Sequence, residues 1–417
     1  MLYILIIALV LLILRFDLFL VFIITSVSYI LLFTNLPAEI AIQRMFSGVD
    51  KFPLIAIPMF IFSAKLMADG GMAQRIINLS LALVGPLPGG LAMAVVVACM
   101  FFGAVSGSSP ATVIAIGSVM FPALLQAKYP KDFSLGLITS SSAVSIIIPP
   151  SIGLIIYGTV ANVSIGSLFI ASIIPGLLYG FSFLLYSYFV NRKRISGRYS
   201  AHDIVTSLKE SAWAIGVPII IVGGIYGGIM TPTEAAAVCA AYTFFVARYV
   251  YKTLDYFDIL KVAKESGIIT AQIMILVACA SVLSWILTIE RIPANIASWT
   301  QLYIHNKYLM LLALSIIFVI AGMFLDPTSV TLIFAPLFIP ILSVYDINPI
   351  HFGIIILVNG ALGMFTPPFG LNNFVSSTVF KEPVVEISKN VIPFIWVGLV
   401  VVFIVTFFEQ FSLMLLP

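Results

Sequence analysis

Charge is scarce in this chain. Only 9% of its 417 residues are Asp, Glu, Lys or Arg, against roughly 25% in an average soluble domain, and that shortage excludes a soluble enzyme. No G-x-x-x-x-G-K-[ST] occurs, so the chain has no P-loop with which to hydrolyse ATP. No H-E-x-x-H occurs either, and the three histidines (His202, His305, His351) are scattered and flank loops, where solvated or capping roles are expected. Zinc catalysis is therefore not indicated. Ser106-Gly107 has no His in a plausible partner helix to act as its base, and paired membrane aspartates of the aspartyl-protease kind are missing. The three cysteines (Cys99, Cys239, Cys279) stand alone in apolar segments. They read as buried small hydrophobes rather than a disulfide framework or a metal site.

What is present is apolar sequence. AVILMFWYC make up 61% of the chain, and 33 residues are Phe. A hydrocarbon core about 30 Å thick takes about 20 apolar residues per helix, so on the order of ten to thirteen crossings are expected in a lipid bilayer. Runs such as Leu2 to Leu14 and Ile146 to Ile148 are continuously apolar, unlike the alternating strands of outer-membrane barrels. The spans are therefore read as helices. At the N-terminus a charged n-region and a small-residue cleavage site are lacking, and Arg15 and Asp17 interrupt an apolar stretch reaching Phe33. A retained first helix is expected, with no targeting peptide removed.

A net charge of +3, from 20 Lys and Arg against 17 Asp and Glu, gives no reason to expect a nucleic-acid partner. Its placement is more informative. From Phe133 to Asn191 there is no charged residue, and then Arg192, Lys193, Arg194 and Arg198 arrive together. The positive-inside rule makes that loop cytoplasmic. The next segment crosses at Trp213 to Ile229, turns at Thr231-Pro232 and returns by Arg248, where Arg248, Lys252, Lys261 and Lys264 mark the same side again.

The chain repeats itself. Gly103 to Pro122 (GAVSGSSPATVIAIGSVMFP) and Gly322 to Pro340 (GMFLDPTSVTLIFAPLFIP) each open on a polar break and continue as a short apolar helix ending at Pro. Beyond each comes a second break, IIIPPSIG and MFTPPFG, which sets Pro149-Pro150 against Pro367-Pro368 at an offset of 218. Upstream, MADGGMAQRI (Met67 to Ile76) and LTIERIPANI (Leu287 to Ile296) lie 220 apart. Single Gly and Pro residues in membrane helices are common packing devices, but paired breaks at a constant offset mark two related halves.

A helix broken at membrane depth is tolerated only where protein or water satisfies the freed backbone groups, which makes the breaks the best pointers to a transport site. In SGSSPAT (Ser106 to Thr112) Gly107 permits a sharp turn, Ser106, Ser108 and Ser109 offer oxygen ligands to a hard cation, and Pro110 suits the first turn of the next helix. That helix N-terminus also suits a carboxylate. The bland alternative is a capped kink. At the partner breaks Pro150 and Pro368 leave carbonyls without their usual donors, and Ser151, Asn359, Thr366 and Asn372 add side-chain oxygens. Four acids lie in apolar surroundings, where charge is costly. Glu234 reads as a capping box with Thr231. Asp326 either caps the helix after Pro327 or binds a cation or proton. Asp69 and Glu290, with Lys65 and Arg291 near, read as salt-bridged interfacial turns.

The set FFGAVSGSSPATVIAIG, ITSSSAVSIIIPPSIGLIIYG, GGIYGGIMTPTEAAAV, INPIHFGIIILVNGALGMFTPPFGLNNF and FPLIAIPMFIFSAKLMADGG resembles the large membrane subunit of the tripartite ATP-independent periplasmic (TRAP) transporters, in order from about Gly48 onward. The resemblance implies an all-α polytopic membrane protein of the bacterial inner membrane. It also implies two inverted repeats, each with a re-entrant helical hairpin and a broken helix, and an elevator-type transport domain moving against a scaffold. The parts would be residues 1–52 (N-terminal helix and amphipathic connector), 53–190 (first repeat), 191–265 (basic cytoplasmic loop and connecting helices) and 266–417 (second repeat). It implies sodium-driven import of an organic acid, C4-dicarboxylate first and sialic or other sugar acids next. The partners would be a small four-helix membrane subunit and a periplasmic substrate-binding protein.

On this resemblance the sodium candidates are Ser106, Ser108, Pro149, Pro150, Ser151, Asp326, Asn359, Gly360, Thr366 and Pro367, and the substrate candidates are Ser106, Gly107, Ser109, Thr328, Ser329 and Asn372. The alternative is a stand-alone sodium-dependent anion carrier or exchanger with no binding protein. The chain departs from the family pattern in two places. Arg15-Phe16-Asp17 stands where a Gly-x-Pro is common, which bears on the N-terminal helix. Lys65 stands where an acid is usual, which implies a changed salt bridge at the scaffold surface.

Overall fold

The computed structural model describes residues 2–194 and 201–416, and it is helical with no strand among them. Arg198 and the side chain of His202 lie outside the described residues. The N-terminus departs from the single helix expected. It forms α1 (Leu2–Ile13) and α2 (Leu18–Phe33), joined by a reversal in which Arg15 takes φ 61°. The Tyr3 and Phe33 rings meet at 4.5 Å, so the two helices run antiparallel. Twelve residues of α1 reach about 18 Å, short of a crossing, because the charges of Arg15 and Asp17 are cheaper at a turn than inside hydrocarbon.

Next come the amphipathic α3 (Glu39–Val49), a 3-10 turn at Phe52–Ile55, α4 (Ala56–Asp69) and α5 (Met72–Val84). Then α6 (Gly90–Ser106) and α7 (Ser109–Gln126) form a hairpin. Beyond it α8 (Lys131–Ser141) tightens into a 3-10 turn at Ser142–Ile146 and unwinds before α9 (Ile152–Ala161). Long helices join the halves: α10 (Ile165–Asn191), α11 (Ala201–Tyr226), α12 (Pro232–Phe245), which runs on as a π-turn, and α13 (Tyr256–Ile289). At the head of α12 Thr231 Oγ1 accepts the Glu234 N–H while the Glu234 carboxylate accepts the Thr231 N–H. This is the capping box expected there.

The second half consists of α14 (Ile292–Tyr303), the hairpin α15 (Lys307–Phe324) and α16 (Pro327–Val344), the broken pair α17 (Pro349–Gly363) and α18 (Leu371–Phe380), then α19 (Val384–Asn390), α20 (Ile392–Phe407) and α21 (Gln410–Leu413). Its first five helices follow the order of α5 to α9. Left-handed backbone recurs at Gly71 and Arg291, Lys128 and Asp346, and Asn162 and Lys381, offsets of 218 to 220, and both Pro-Pro bonds are cis. The halves interlock. The second arm of each hairpin packs on the short helix of the opposite half, α7 on α18 and α16 on α9.

Seven helices among the described residues are long and apolar enough to cross a membrane, eight if α19 and α20, bent by 51°, count as one. That is fewer than ten to thirteen because the breaks divide apolar sequence into pieces too short to cross alone, such as α9 and α18. Polarity is inside out relative to a soluble protein. Ser140, Ser141, Ser142 and Asn359 are fully buried, while Leu31, Leu32, Phe257 and Trp396 face outward, as lipid-exposed side chains should.

Three expectations are corrected. His351 is not solvated: it is buried, with Nδ1 beside Ser412 Oγ (3.1 Å) and Nε2 beside the Thr406 carbonyl (3.3 Å). Lys65 pairs with Glu265 of α13 rather than Asp69. Glu290 makes no ion pair with Arg291 among the described residues, because Arg291 turns left-handed at the head of α14. The cysteines are buried and unpaired, as expected.

Close helix contact is a checkable consequence. A Cβ on Gly363 would lie 2.5 Å from the backbone of Gly322, whereas one on Gly267 would meet nothing within 4 Å. Gly363→Ala is expected to lower stability by about 1–3 kcal/mol through overpacking, and Gly267→Ala to be neutral or stabilising by up to about 1 kcal/mol. Thermal unfolding in detergent compares the two directly.

Candidate functional site: two hairpin tips against two unwound loops

The first tip is built by its own sequence. Gly107 ends α6 at φ 56°, a conformation that costs glycine little, and Pro110 sits in the first turn of α7, where its missing N–H is not needed. Ser106 Oγ accepts the Ser108 N–H at 3.4 Å and lies 3.3 Å from Thr112 Oγ1, which donates to the Ser108 carbonyl at 2.9 Å. A Cβ on Gly107 would lie 2.4 Å from the Pro150 carbonyl oxygen. The tip is thus seated directly on the first unwound loop. Ser106, Gly107 and Ser108 are brought together with Pro150 and Ser151, as expected.

The second tip mirrors it with different chemistry. Asp326 caps α16: Oδ2 accepts the N–H groups of Thr328 (2.9 Å) and Ser329 (3.2 Å), and Oδ1 accepts the Ser329 hydroxyl. Of the two readings open for Asp326, this geometry is the cap, and both carboxylate oxygens are engaged in it. Pro327 then rests on α17, 3.3 Å from a Cβ built on Gly360. Asn359, Gly360 and the second tip are therefore neighbours. Thr366 Oγ1 donates back to the Leu362 carbonyl at 2.6 Å. Pro149 and Pro150 are buried, whereas Pro368 and Phe369 are exposed and the Phe369 ring lies 5.3 Å from that of Phe324 beside the second tip.

Ser109 and Asn372 meet each other rather than a ligand in this arrangement. Ser109 Oγ donates to Asn372 Oδ1 at 3.0 Å, and Asn372 Nδ2 lies 2.7 Å from Ser109 Oγ and donates to the Thr139 carbonyl at 3.0 Å. Thr139 Oγ1 donates to Ser376 Oγ at 2.8 Å. One buried polar seam therefore ties α7, α8 and α18 across the two halves. The sequence reading missed Thr139, Ser376 and Asn373, whose amide donates to the Phe365 carbonyl in the second loop at 3.1 Å. The signal for Thr139 was the polar run TSSS inside an uncharged apolar stretch.

A family profile described as "Tripartite ATP-independent periplasmic transporter, DctM component" matches residues 5–411. The chain belongs to this family. Among DctM relatives, the C4-dicarboxylate TRAP transporter large permease protein DctM of Pseudomonas aeruginosa is 40% identical over 389 residues, 93% of this chain and 91% of that one. The ectoine/5-hydroxyectoine TRAP transporter large permease protein UehC of Ruegeria pomeroyi is 40% identical over 393 residues, 93% and 92% of the two chains. The crystal structure of the YdaH transporter of Alcanivorax borkumensis superposes with a TM-score of 0.64 over 92% of each chain at 13% identity, which shows a shared fold. As a DctM protein with seven or eight spans, the chain is a multi-pass inner-membrane transporter component and not an enzyme.

The tips and loops of this chain suit a hard cation on two counts. Their donors are hydroxyls and carbonyls, the hard oxygens such an ion takes. Ser151 Oγ and Asn359 Oδ1 are moreover buried with no hydrogen-bond partner among the described residues, and an oxygen left unpaired in the interior costs about 1–3 kcal/mol. Each of these oxygens belongs to a segment packed against a hairpin tip.

The polar seam is testable without transport. Asn372→Ala leaves the Ser109 hydroxyl and the Thr139 carbonyl without a partner and is expected to cost about 1–3 kcal/mol. In a double-mutant cycle with Ser109→Ala, thermal denaturation should give a coupling of at least about 0.5 kcal/mol. Strict additivity would show the two side chains to be independent.

Proposed function

We propose that this DctM protein imports a small organic acid by sodium symport, receiving it from a periplasmic binding protein and working beside a small four-helix membrane subunit. The observation that carries the reading is the pair of related tips, one seated on the first unwound loop and the other on α17 just ahead of the second, each beside a buried oxygen, on Ser151 and on Asn359, that lacks a partner among the described residues. A cation bound at Ser106, Ser108, Pro150 and Ser151, and a second at Asn359, Gly360 and the loop from Thr366 to Pro367, would supply those partners. Asp326 acts in this reading by holding the second tip in shape; since its carboxylate already takes the Thr328 and Ser329 N–H groups and the Ser329 hydroxyl, the Thr328 hydroxyl is the donor left there for a substrate carboxylate.

The same contacts explain coupling. A ligand shifts a conformational equilibrium only by its difference in affinity between states. A cation that fixes the tips against the loops raises the population in which the second tip presents Thr328 to the acid. Because α7 is tied to α18 and α16 to α9, these elements would move as one body against α3, α4 and α13, an elevator motion. A C4-dicarboxylate is the first substrate class to test, given the Pseudomonas relative's name. The ectoine relative, equally similar, is the reason to test more than one class.

The deciding experiment is uptake of labelled succinate, sialic acid and ectoine into proteoliposomes holding the chain and its small partner, with and without a sodium gradient and the binding protein. Transport requiring both is the expected outcome. Transport that ignores sodium would sink the symport reading, and sodium-dependent uptake without the binding protein would make the chain a stand-alone carrier. Ser108→Ala and Asn359→Ala are expected to raise the sodium concentration for half-maximal uptake about tenfold, equivalent to about 1.4 kcal/mol, while leaving expression intact. An unchanged sodium response in both variants would refute the ion-site assignment.

A further inference from the structure

A cavity of about 280 Å³ lies between α3 and α13 on one wall and α9 and α16 on the other. Arg44 and Lys51 line it, with the hydroxyls of Ser281 and Ser284, the end of α9 at Thr159, and the Trp285 ring. No Asp or Glu lines it, and neither cation forms an ion pair among the described residues. Both side chains are exposed at the mouth of the cleft, and in a chain so poor in charge two cations converging on one opening give it a local positive field.

Both are held in place. The Arg44 guanidinium lies over the Trp285 ring at 4.8 Å, and the Ser281 hydroxyl donates to the Arg44 carbonyl at 2.8 Å, fixing α3 to α13. Gly48, one turn on, permits that approach, since a Cβ there would collide with Ser281. Lys51 reaches across the cleft and donates one hydrogen bond to the Thr159 carbonyl at 3.0 Å, leaving two of its three donors free. None of the five guanidinium N–H groups of Arg44 has a hydrogen-bond acceptor among the described residues. A planar fork of free donors beside an ammonium is suited to bidentate recognition of an oxyanion.

We propose that this cleft is an oxyanion site, taking the carboxylate of a small organic acid or the phosphate of an anionic lipid headgroup between Arg44 and Lys51, with the Ser284 hydroxyl completing the shell. The volume matches a molecule of a few heavy atoms or one headgroup. Occupancy would bridge α3 to α9 through Lys51 and so join the two walls, which belong to the opposing bodies of the proposed motion. The binding claim itself does not rest on the transport reading, because it is read at equilibrium with no gradient and no partner protein.

Trp285 supplies the signal. Emission of the purified full chain would be followed in zwitterionic phosphatidylcholine nanodiscs during titration with succinate and with inorganic phosphate, and compared with nanodiscs containing phosphatidylglycerol. Trp285→Phe identifies the part of the signal that belongs to the cleft. A saturable change with succinate or phosphate, weakened at least tenfold in Arg44→Gln and Lys51→Gln and largely kept in Lys51→Arg, identifies a soluble anion. A change produced only by phosphatidylglycerol, with the same dependence on the two cations, identifies a lipid headgroup. The absence of any Trp285-dependent response to all three probes in the unmodified chain overturns the proposal, whether or not the variants fold. A response that persists in both Gln variants overturns it as well.

Discussion

Backbone groups that leave a helix inside a membrane must find new partners inside the protein, because hydrocarbon offers none. This chain breaks its helices at four places within apolar surroundings, and much of its architecture follows from meeting that demand. At the first tip the partners are serine and threonine hydroxyls. At the second they are the oxygens of a single aspartate. The second unwound loop is met partly by Asn372 and Asn373, which take the Met364 and Phe365 carbonyls through a main-chain N–H and a side-chain amide. Three side-chain oxygens beside these breaks, on Ser151, Asn359 and Asn373, are left without a partner among the described residues, and those are where an ion has something to offer.

Interlocking of the halves has the same origin. A helix of ten residues such as α9 or α18 can neither cross the bilayer nor bury itself alone. Each is covered by the second arm of the opposite hairpin, so neither half is complete without the other. The seam through Ser109, Asn372, Thr139 and Ser376 runs along one of these contacts. Hydrogen bonds sheltered from water give direction to a contact that lipid-like side chains could only make greasy. Rigid blocks that move relative to a scaffold need internal contacts of this kind, together with weaker ones at the boundary.

Around α3, α4 and α13 charge is of two kinds, paired and unpaired. Lys65 pairs with Glu265 between α4 and α13, while Arg44 and Lys51 face a cleft that no acid closes. Both side chains are exposed at the mouth of that cleft, so what sets them apart from other surface cations is that they converge on one opening. Position, rather than net charge, separates a solvated residue from one with a task.

The sequence by itself determined the class of this protein, because its small charged fraction and continuous apolar runs leave only a helical membrane protein. It also determined the existence and offset of the paired breaks, since Gly, Pro and Ser at those positions act through local backbone conformation, and the Thr231–Glu234 box, which is complete within four residues. Only the tertiary structure decided how many helices are long enough to cross, that α1 folds back on α2, that His351 is buried, and that Lys65 chooses Glu265 over the nearer-numbered Asp69. It alone placed Ser109 against Asn372, 263 positions away, and Pro327 against Gly360. Local rules reach about one helical turn along the chain, whereas these contacts are set by which helices pack side by side.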